Sequence, residues 1–530
     1  MGNKQKEKKE VSFPVVGIGA SAGGLKALKT FFSTVKEDSG MAYIVVTHMS
    51  PDQPSLLPEL INRVSSIPAD FGKDGEKLKP NHIYIAPPDK EINIYQGAIH
   101  LLEMKKREVS LHIDFFLRSL AWDQKSKAAG VIMSGTGTDG TLGIKEIKNQ
   151  EGLVLVQTPE SAEYDGMPQS ALTTGIVDKS LPPEEMLEFL FNYFLNRTSV
   201  FPQGPPPRKE EEIHWINKIF SILRTRLGHD FSSYKQSTIF RRIQRRMDIN
   251  QIKEPDHYVR LLREDPKETE ALFREFLIGV THFFRDPDSF ESLKTNYLKG
   301  SLGGLEEGSE FRVWVPGCST GEEAYSLAII FAEYLKEEHK QIDLQIFATD
   351  IDNFAIEKAR EGIFPLSIAA DISEERLTQF FFKEGEYYRV KKEIRESVVF
   401  SVQNVIKDPP FSRLDLLCCR NLLIYLKAEI QKKLLPLFHY TLKPGGLLML
   451  GSSETVGQFS NLFKVLDSKW KIYKKIEVPH SLRGEIEFPT GMPSEKNAPK
   501  PSADDRGKTK KNFESLVQNT MFDIPTHTSL

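Results

Sequence analysis

The chain has 530 residues, a formal net charge of −3, and 39% hydrophobic against 27% charged residues. That length is enough for roughly two to four domains with full cores, and a charge so near zero gives no overall case for a nucleic-acid partner. No apolar run is long enough to span a bilayer, which argues against membrane insertion. The three cysteines, Cys318, Cys418 and Cys419, form neither a disulfide framework nor a metal-ligand spacing, as expected of a cytoplasmic protein without a bound metal.

Residues 1–11 are a Lys/Glu-rich polar tail without the apolar stretch of a signal peptide. From 12 to 196, short apolar runs alternate with helical patterns. "PVVGIGA", "YIVVTH", "HIYIAP", "AGVIMSG" and "GLVLVQ" predict buried strands, and Leu25, Leu28, Phe32 and Val35 recur at helical spacing between the first two. Residues 197–212, "RTSVFPQGPPPRKEEE", predict a Pro-rich linker. Residues 213–286 carry helical periodicity with few strand-like runs and predict a small all-α domain. Alternation resumes in "FRVWVPG", "LQIFATD", "VVFSVQN", "LDLLCCRN" and "GGLLMLGSSE", so 287–480 predict a second α/β domain. The tail 481–530 has a disordered composition, apart from the apolar positions Phe513, Leu516, Val517 and Phe522. The predicted fold class is α/β: two doubly wound, mostly parallel sheets with a small all-α domain between them.

"GIGASAGGLKAL", 17–28, sets Ser21 on a tight turn between a strand and a helix. Glycine turns before helices cradle anions. G-x-S-x-G also forms a nucleophile elbow, and a plain βα turn with the serine as a helix cap needs neither. Ligands of open parallel sheets bind beyond the carboxyl ends of the strands. His48 closes the second strand and Asp139 ends the glycine loop after "GVIMSG", so the three could converge as nucleophile, base and orienting carboxylate.

"GASAGG", "THMSPD", "IYIAPPD", "GTGTDG" and "YDGMPQSAL" resemble, in this order, the chemotaxis methylesterase family CheB. The resemblance implies Ser21 as nucleophile, His48 as base and Asp139 as its partner. The backbone N–H groups of Ala22 and Thr136 are the candidates for the oxyanion hole. Regulated members of that family begin with a phospho-receiver domain, for which residues 1–11 leave no room.

"VWVPGCSTGEEAYSLA", 313–328, is a strand, a glycine loop and a helix, without the Lys-Ser/Thr of a Walker loop. Asp350 ends the next strand, where an α/β nucleotide site holds ribose hydroxyls. "LKPGGLLML" follows, as in class I methyltransferases. "GVTHFFRD", "GCSTGEEAYS", "ATDID", "VQNV" and "CRNLLIY" resemble the receptor-glutamate methyltransferase family CheR. The resemblance implies an S-adenosylmethionine pocket holding Thr281, Arg285, Glu323, Asp350, Asn404, Val405, Arg420 and Asn421. Arg285 and Tyr425 would lie at the methyl group and the acceptor carboxylate. Gly279 stands where that family commonly has Asn.

"STIFRRIQRRM", 237–247, pairs Arg241 with Arg245 and Arg242 with Arg246 at i, i+4, which predicts a basic strip for docking an acidic protein substrate. The implied partner is a methyl-accepting receptor or a related signalling protein, with recruitment to membrane receptors. The expected function is therefore paired methylation and demethylation of protein glutamates. A binding-only signalling scaffold, or a hydrolase/methyltransferase pair acting on small molecules, are the alternatives.

Overall fold

A computed structural model describes residues 13–48, 55–104, 111–195, 210–277, 279 and 281–477. The polar tail 1–11, the linker as far as residue 209 and the tail 481–530 lie outside them.

The first domain is a seven-stranded parallel sheet in the order β3-β4-β2-β1-β7-β8-β9. Its strands are β1 (Val15–Ala20), β2 (Ala42–Thr47), β3 (Ala69–Phe71), β4 (His82–Ile85), β7 (Ala128–Ile132), β8 (Leu153–Gln157) and β9 (Lys179–Leu181). A hairpin of β5 (Lys90–Tyr95) and β6 (Ala98–Glu103) stands apart from the sheet. The helices are α1 (Gly24–Phe32), α2 (Leu57–Asn62), α3 (His112–Gln124), α4 (Thr141–Asn149), α5 (Gly166–Thr173) and α6 (Pro183–Leu195). β1, β7 and β8 are buried along their whole length, because helices cover both faces of the sheet. Of the apolar residues expected on the first helix, Leu28, Phe32 and Val35 are buried, but Leu25 is 41% exposed. Leu25 sits in the first turn, which opens onto the cleft at Ser21.

Next come α7 (Glu210–Leu227), α8 (Gln236–Ile249), α9 (Pro255–Glu264) and α10 (Pro266–Leu277). α7 begins at Glu210, so the last residues expected in the linker are helical. Ile219, Leu223, Ile239, Ile243, Tyr258 and Leu272 form the core of this domain.

The second α/β domain opens with α11 (Pro287–Ser292) and α12 (Lys299–Leu302) and continues through β10 (Glu310–Pro316), α13 (Glu322–Glu337), β11 (Asp343–Asp350) and α14 (Asn353–Glu361). β12 (Ile363–Pro365), α15 (Glu374–Phe380), β13 (Phe381–Glu384), β14 (Tyr387–Val390) and α16 (Lys392–Glu396) follow. The chain then completes the sheet with β15 (Val398–Val402), β16 (Leu414–Cys419), α17 (Ala428–Thr441), β17 (Leu442–Leu450), β18 (Phe463–Asp467) and β19 (Ile472–Lys475). The main sheet runs β15-β11-β10-β16-β17-β19-β18, parallel as far as β17 and antiparallel at β19 and β18. β12, β14 and β13 form a separate antiparallel sheet that no sequence pattern announced. α14 shows how locally its ends are set. The Asp352 side chain accepts from Phe354 N, and Gly362 closes the helix in the left-handed conformation.

Strand order locates both sites. In the first sheet β2 lies on one side of β1 and β7 on the other; in the second, β11 and β16 flank β10 in the same way. Successive connections leave in opposite directions at such a switch point and open a crevice at the carboxyl ends. Ser21 and the glycine loop after β7 border the first crevice, and Gly317 and Arg420 border the second.

Candidate functional site

In the first crevice Ser21 Oγ lies 3.1 Å from His48 Nδ1, and His48 Nε2 lies 2.9 Å from Asp139 Oδ2. With the Nε2 proton directed to the carboxylate, Nδ1 keeps a lone pair for the Ser21 hydroxyl. Asp139 is buried and fixed from several directions. It accepts from Ile113 N at 3.0 Å and Asp114 N at 2.9 Å, both at the N-terminus of α3, and from Gly140 N at 2.8 Å.

The loop after β7 is sewn to the Ser21 turn. Ser21 N donates to Ser134 O at 2.9 Å, and Ser134 Oγ donates to Ala22 O at 2.9 Å. A Cβ on Gly135 would stand 2.9 Å from Ser21 Cβ and 2.2 Å from Met167 Sδ, so only glycine lets this backbone approach the serine. Ala22 follows Ser21 directly and Thr136 follows Gly135; both are exposed at the cleft.

Sequence reading missed two neighbours. The His112 ring stands edge-on to His48 with centroids 5.9 Å apart. Asp114 is buried beside Asp139, and burial together with the Asp139 charge pushes its carboxyl well above the usual range. No spacing signal in the sequence marks either residue, because α3 reaches the crevice only through packing.

In the second crevice Thr281, Arg285, Glu323, Asp350, Asn404, Val405, Arg420, Asn421 and Tyr425 line one pocket. Asp350 accepts from Ser319 N at 2.8 Å and Asp352 N at 3.0 Å, and burial raises its carboxyl above the ordinary value against those two bonds. A carboxylate has about four acceptor positions, so this one keeps capacity for ribose hydroxyls. Arg420 is a buried hub. It reaches Glu323 Oε2 at 3.2 Å, Asp286 Oδ2 at 2.7 Å and Arg285 O at 2.8 Å. Burial raises the Glu323 carboxyl, opposed by Arg420, and burial raises the Tyr425 phenol, opposed by Arg285.

Tyr234, Gln403 and Glu454 were not singled out in the sequence. Tyr234 belongs to the helical segment and pairs with Leu426, so the all-α domain contributes to the pocket wall. Gln403 Oε1 and Arg420 Nε are buried with no partner among the described residues, and both residues line the pocket. An acceptor and a donor left open beside Asp350 and a glycine loop fit the amino, ring and hydroxyl groups of an adenosyl cofactor. Glu454 holds Asn421 N at 3.0 Å and Gly451 N at 2.7 Å, which fixes the turn carrying Asn421.

Comparison with known proteins agrees with this geometry. Residues 16–190 match the CheB methylesterase family, 215–277 the CheR methyltransferase all-alpha domain, and 279–472 the CheR methyltransferase SAM binding domain. The putative methyltransferase Cher3 of Pseudomonas putida is 31% identical over 49% of this chain and 96% of its own length. The chain belongs to the CheR methyltransferase family. It carries a CheB methylesterase domain ahead of the CheR domains, and both are domains of enzymes. Chemotaxis protein methyltransferase 2 of Vibrio cholerae is 30% identical, covering 45% of this chain and 84% of that protein. An uncharacterized 104.1 kDa protein of Rhodobacter capsulatus is 35% identical over 79% of this chain. The chain spans 46% of that protein's length. The solved Thermotoga maritima CheB methylesterase catalytic domain is 30% identical, covering 34% of this chain and 98% of that one, with a TM-score of 0.32. S-adenosylmethionine is the cofactor of the CheR domain. Among the described residues no helix is long and apolar enough to cross a membrane, and no group of His, Cys, Asp or Glu is placed to hold a metal ion.

One expectation for the CheR helical domain is overturned. α8 does not present a basic docking strip, because Arg242, Arg245 and Arg246 are 3%, 3% and 6% exposed. Arg245 forms a bidentate pair with Asp178 of the CheB domain, and also donates to Gly152 O at 2.7 Å and Glu275 Oε2 at 2.9 Å. Arg242 meets Glu275 at 3.0 Å, and Arg246 pairs with Glu268. Lys148 of the CheB domain lies 2.7 Å from both Asp178 and Glu275. Arg241 alone of the four stays exposed, 2.5 Å from Glu151. The acids that claim these arginines lie far off in sequence, so helical spacing could not reveal them.

Proposed function

We propose that this chain is a bifunctional signalling enzyme. Its CheR domain methylates glutamate side chains of a protein, and its CheB domain hydrolyses glutamate methyl esters to glutamate and methanol. We propose a methyl-accepting chemoreceptor or a related signalling protein as the substrate, and the cytoplasm as the site of action. Support for the substrate comes from the relatives named as chemotaxis methyltransferases, and for the compartment from three cysteines that are all unpaired thiols.

The observation that carries the reading is the unbroken Ser21–His48–Asp139 relay. In the proposed reaction Ser21 Oγ attacks the ester carbonyl as His48 Nδ1 takes its proton. Asp139 stabilises the imidazolium that forms. The N–H groups of Ala22 and Thr136 receive the developing oxyanion. His48 returns the proton to the departing methoxide, and water, activated in the same way, releases the glutamate.

When bound, S-adenosylmethionine supplies an electrophilic methyl group on a sulfonium. Asp350 and Gln403 would hold the nucleoside, and Arg285 and Tyr425 would align the acceptor carboxylate. That carboxylate is already anionic, so alignment rather than proton abstraction is the chain's task.

The test is incubation with methyl-labelled S-adenosylmethionine and membranes of the source organism. The expected result is a base-labile labelled protein band whose label is later released as methanol. A chain that binds the cofactor but labels no protein would favour the binding-only scaffold.

A further inference from the structure

The glycine loop that follows β7 in the esterase domain touches the methyltransferase domain. Gly137, two residues before Asp139, has a φ of +84°, and a Cβ built on it would stand 3.0 Å from Glu386 Oε2. Glu386 lies at the tip between β13 and β14, and its backbone carbonyl accepts from Leu366 N at 3.2 Å. A second contact joins the same two domains, at Asp371 between β12 and α15. Arg118 of α3 grips Asp371 through two bonds, of 2.9 and 3.0 Å. α3 is also the helix whose first amides hold Asp139. Both contacts therefore fall on the segments that position the carboxylate of the triad.

The cleft is not uniform in charge. At the start of α1, Lys26 and Lys29 share a pocket with Ser21, Leu25 and Glu163. The glycine loop flanks Ser21 through Gly135, and two residues further it brings in the exposed carboxylate of Glu386. A peptide laid across Ser21 would thus meet two lysines and one glutamate toward α1, and a carboxylate toward the β13–β14 tip.

We propose that Glu386 is a specificity-determining residue of the esterase. It gives the cleft an acidic rim that disfavours acidic side chains on the side of the scissile ester toward the β13–β14 tip, and Lys26 and Lys29 accept them on the other. The substrate class is a methyl-esterified glutamate with acidic residues concentrated on one flank. This inference rests on the esterase reading above.

The experiment uses the full chain and two peptides of equal composition, each with one glutamate γ-methyl ester. One carries aspartates N-terminal and lysines C-terminal to the ester, and the other reverses them. Wild type should release methanol faster from one peptide, by about two- to fivefold for an exposed charge contact. Glu386→Lys should shrink or invert that ratio in kcat/KM, with Glu386→Gln between the two. About 0.5 M salt should erase the preference, because the charges are exposed to solvent. Methyl transfer should be the same in both variants, which excludes a general folding defect. A wild-type ratio of one, or a ratio unmoved by Glu386→Lys, overturns the inference while the esterase stands. No methanol from either peptide overturns the esterase reading itself, and this inference with it.

Discussion

Arg245 of the helical domain and Asp178 of the esterase domain face each other across the domain boundary, with Arg245 Nη1 2.9 Å from Asp178 Oδ1 and both side chains shut off from solvent. Glu275 and Lys148 complete the cluster. Its arginines are the ones expected to greet a substrate. Asp178 of the esterase domain takes Arg245 instead, while Arg242 and Arg246 pair with Glu275 and Glu268 of their own domain, so the two halves meet through a buried charged seam at Arg245. Glu275 lies one residue before Phe276, which lines the pocket in the second crevice.

Removing one member of this cluster leaves the others buried and uncompensated. Asp178→Asn should therefore destabilise the chain by about 3–5 kcal/mol. Urea denaturation of the full chain followed by tryptophan fluorescence checks it. A loss under about 1 kcal/mol, the size of a surface pair, would mean that water reaches the seam.

Ser21→Ala should abolish methanol release, by about 10⁴-fold or more, because a relay without its nucleophile retains only binding and oxyanion stabilisation. Methyl transfer and cofactor affinity should not change. Retained methanol release would remove the serine mechanism.

Asp350→Ala should weaken S-adenosylmethionine binding roughly tenfold to a hundredfold, the worth of a charged hydrogen-bond acceptor. The same change frees Ser319 N, so the glycine loop loses an anchor as well. Calorimetric titration of the full chain gives the affinity, and an unchanged value would place the nucleoside elsewhere in the pocket.

Asp114 predicts a pH signature. Its carboxyl is raised by burial and by Asp139, with Arg118 opposing and Asp371 adding to the rise, and its Oδ2 has no partner among the described residues. A folded value above the unfolded one means that the stability of the protonated form is fully present below about pH 4 and is lost as pH rises through the folded value. Asp114→Asn stays neutral and can still accept from Gly143 N, a bond of 2.6 Å in the wild type. The variant should be more stable than wild type at pH 8, by at least about 1 kcal/mol, and the gap should close toward pH 4. Thermal melts across that range decide it; a gap independent of pH would mean that Asp114 is ionised in the folded chain.

Much of this protein was legible in local chemistry. A strand followed by a glycine turn and an amphipathic run is specified by neighbouring residues, so Ser21, His48, Asp139 and Asp350 could be assigned to strand ends before any contact was known. Parallel strands then bring such ends to one edge, and the three triad residues do meet there. What tertiary structure alone decided depends on groups far apart in the chain. Arg242, Arg245 and Arg246 read as a solvated strip because spacing within a helix shows which residues share a face, not what that face packs against. Their partners Asp178, Glu275 and Glu268 are ordinary surface acids by composition, and only burial turns Arg245, Asp178 and Glu275 into a seam. Likewise nothing near Glu386 in sequence speaks of Gly137. Arg118 of α3 and Asp371, between β12 and α15, pair across the same domain boundary, and a free-energy balance between desolvation and pairing across such distances is set by the packed fold.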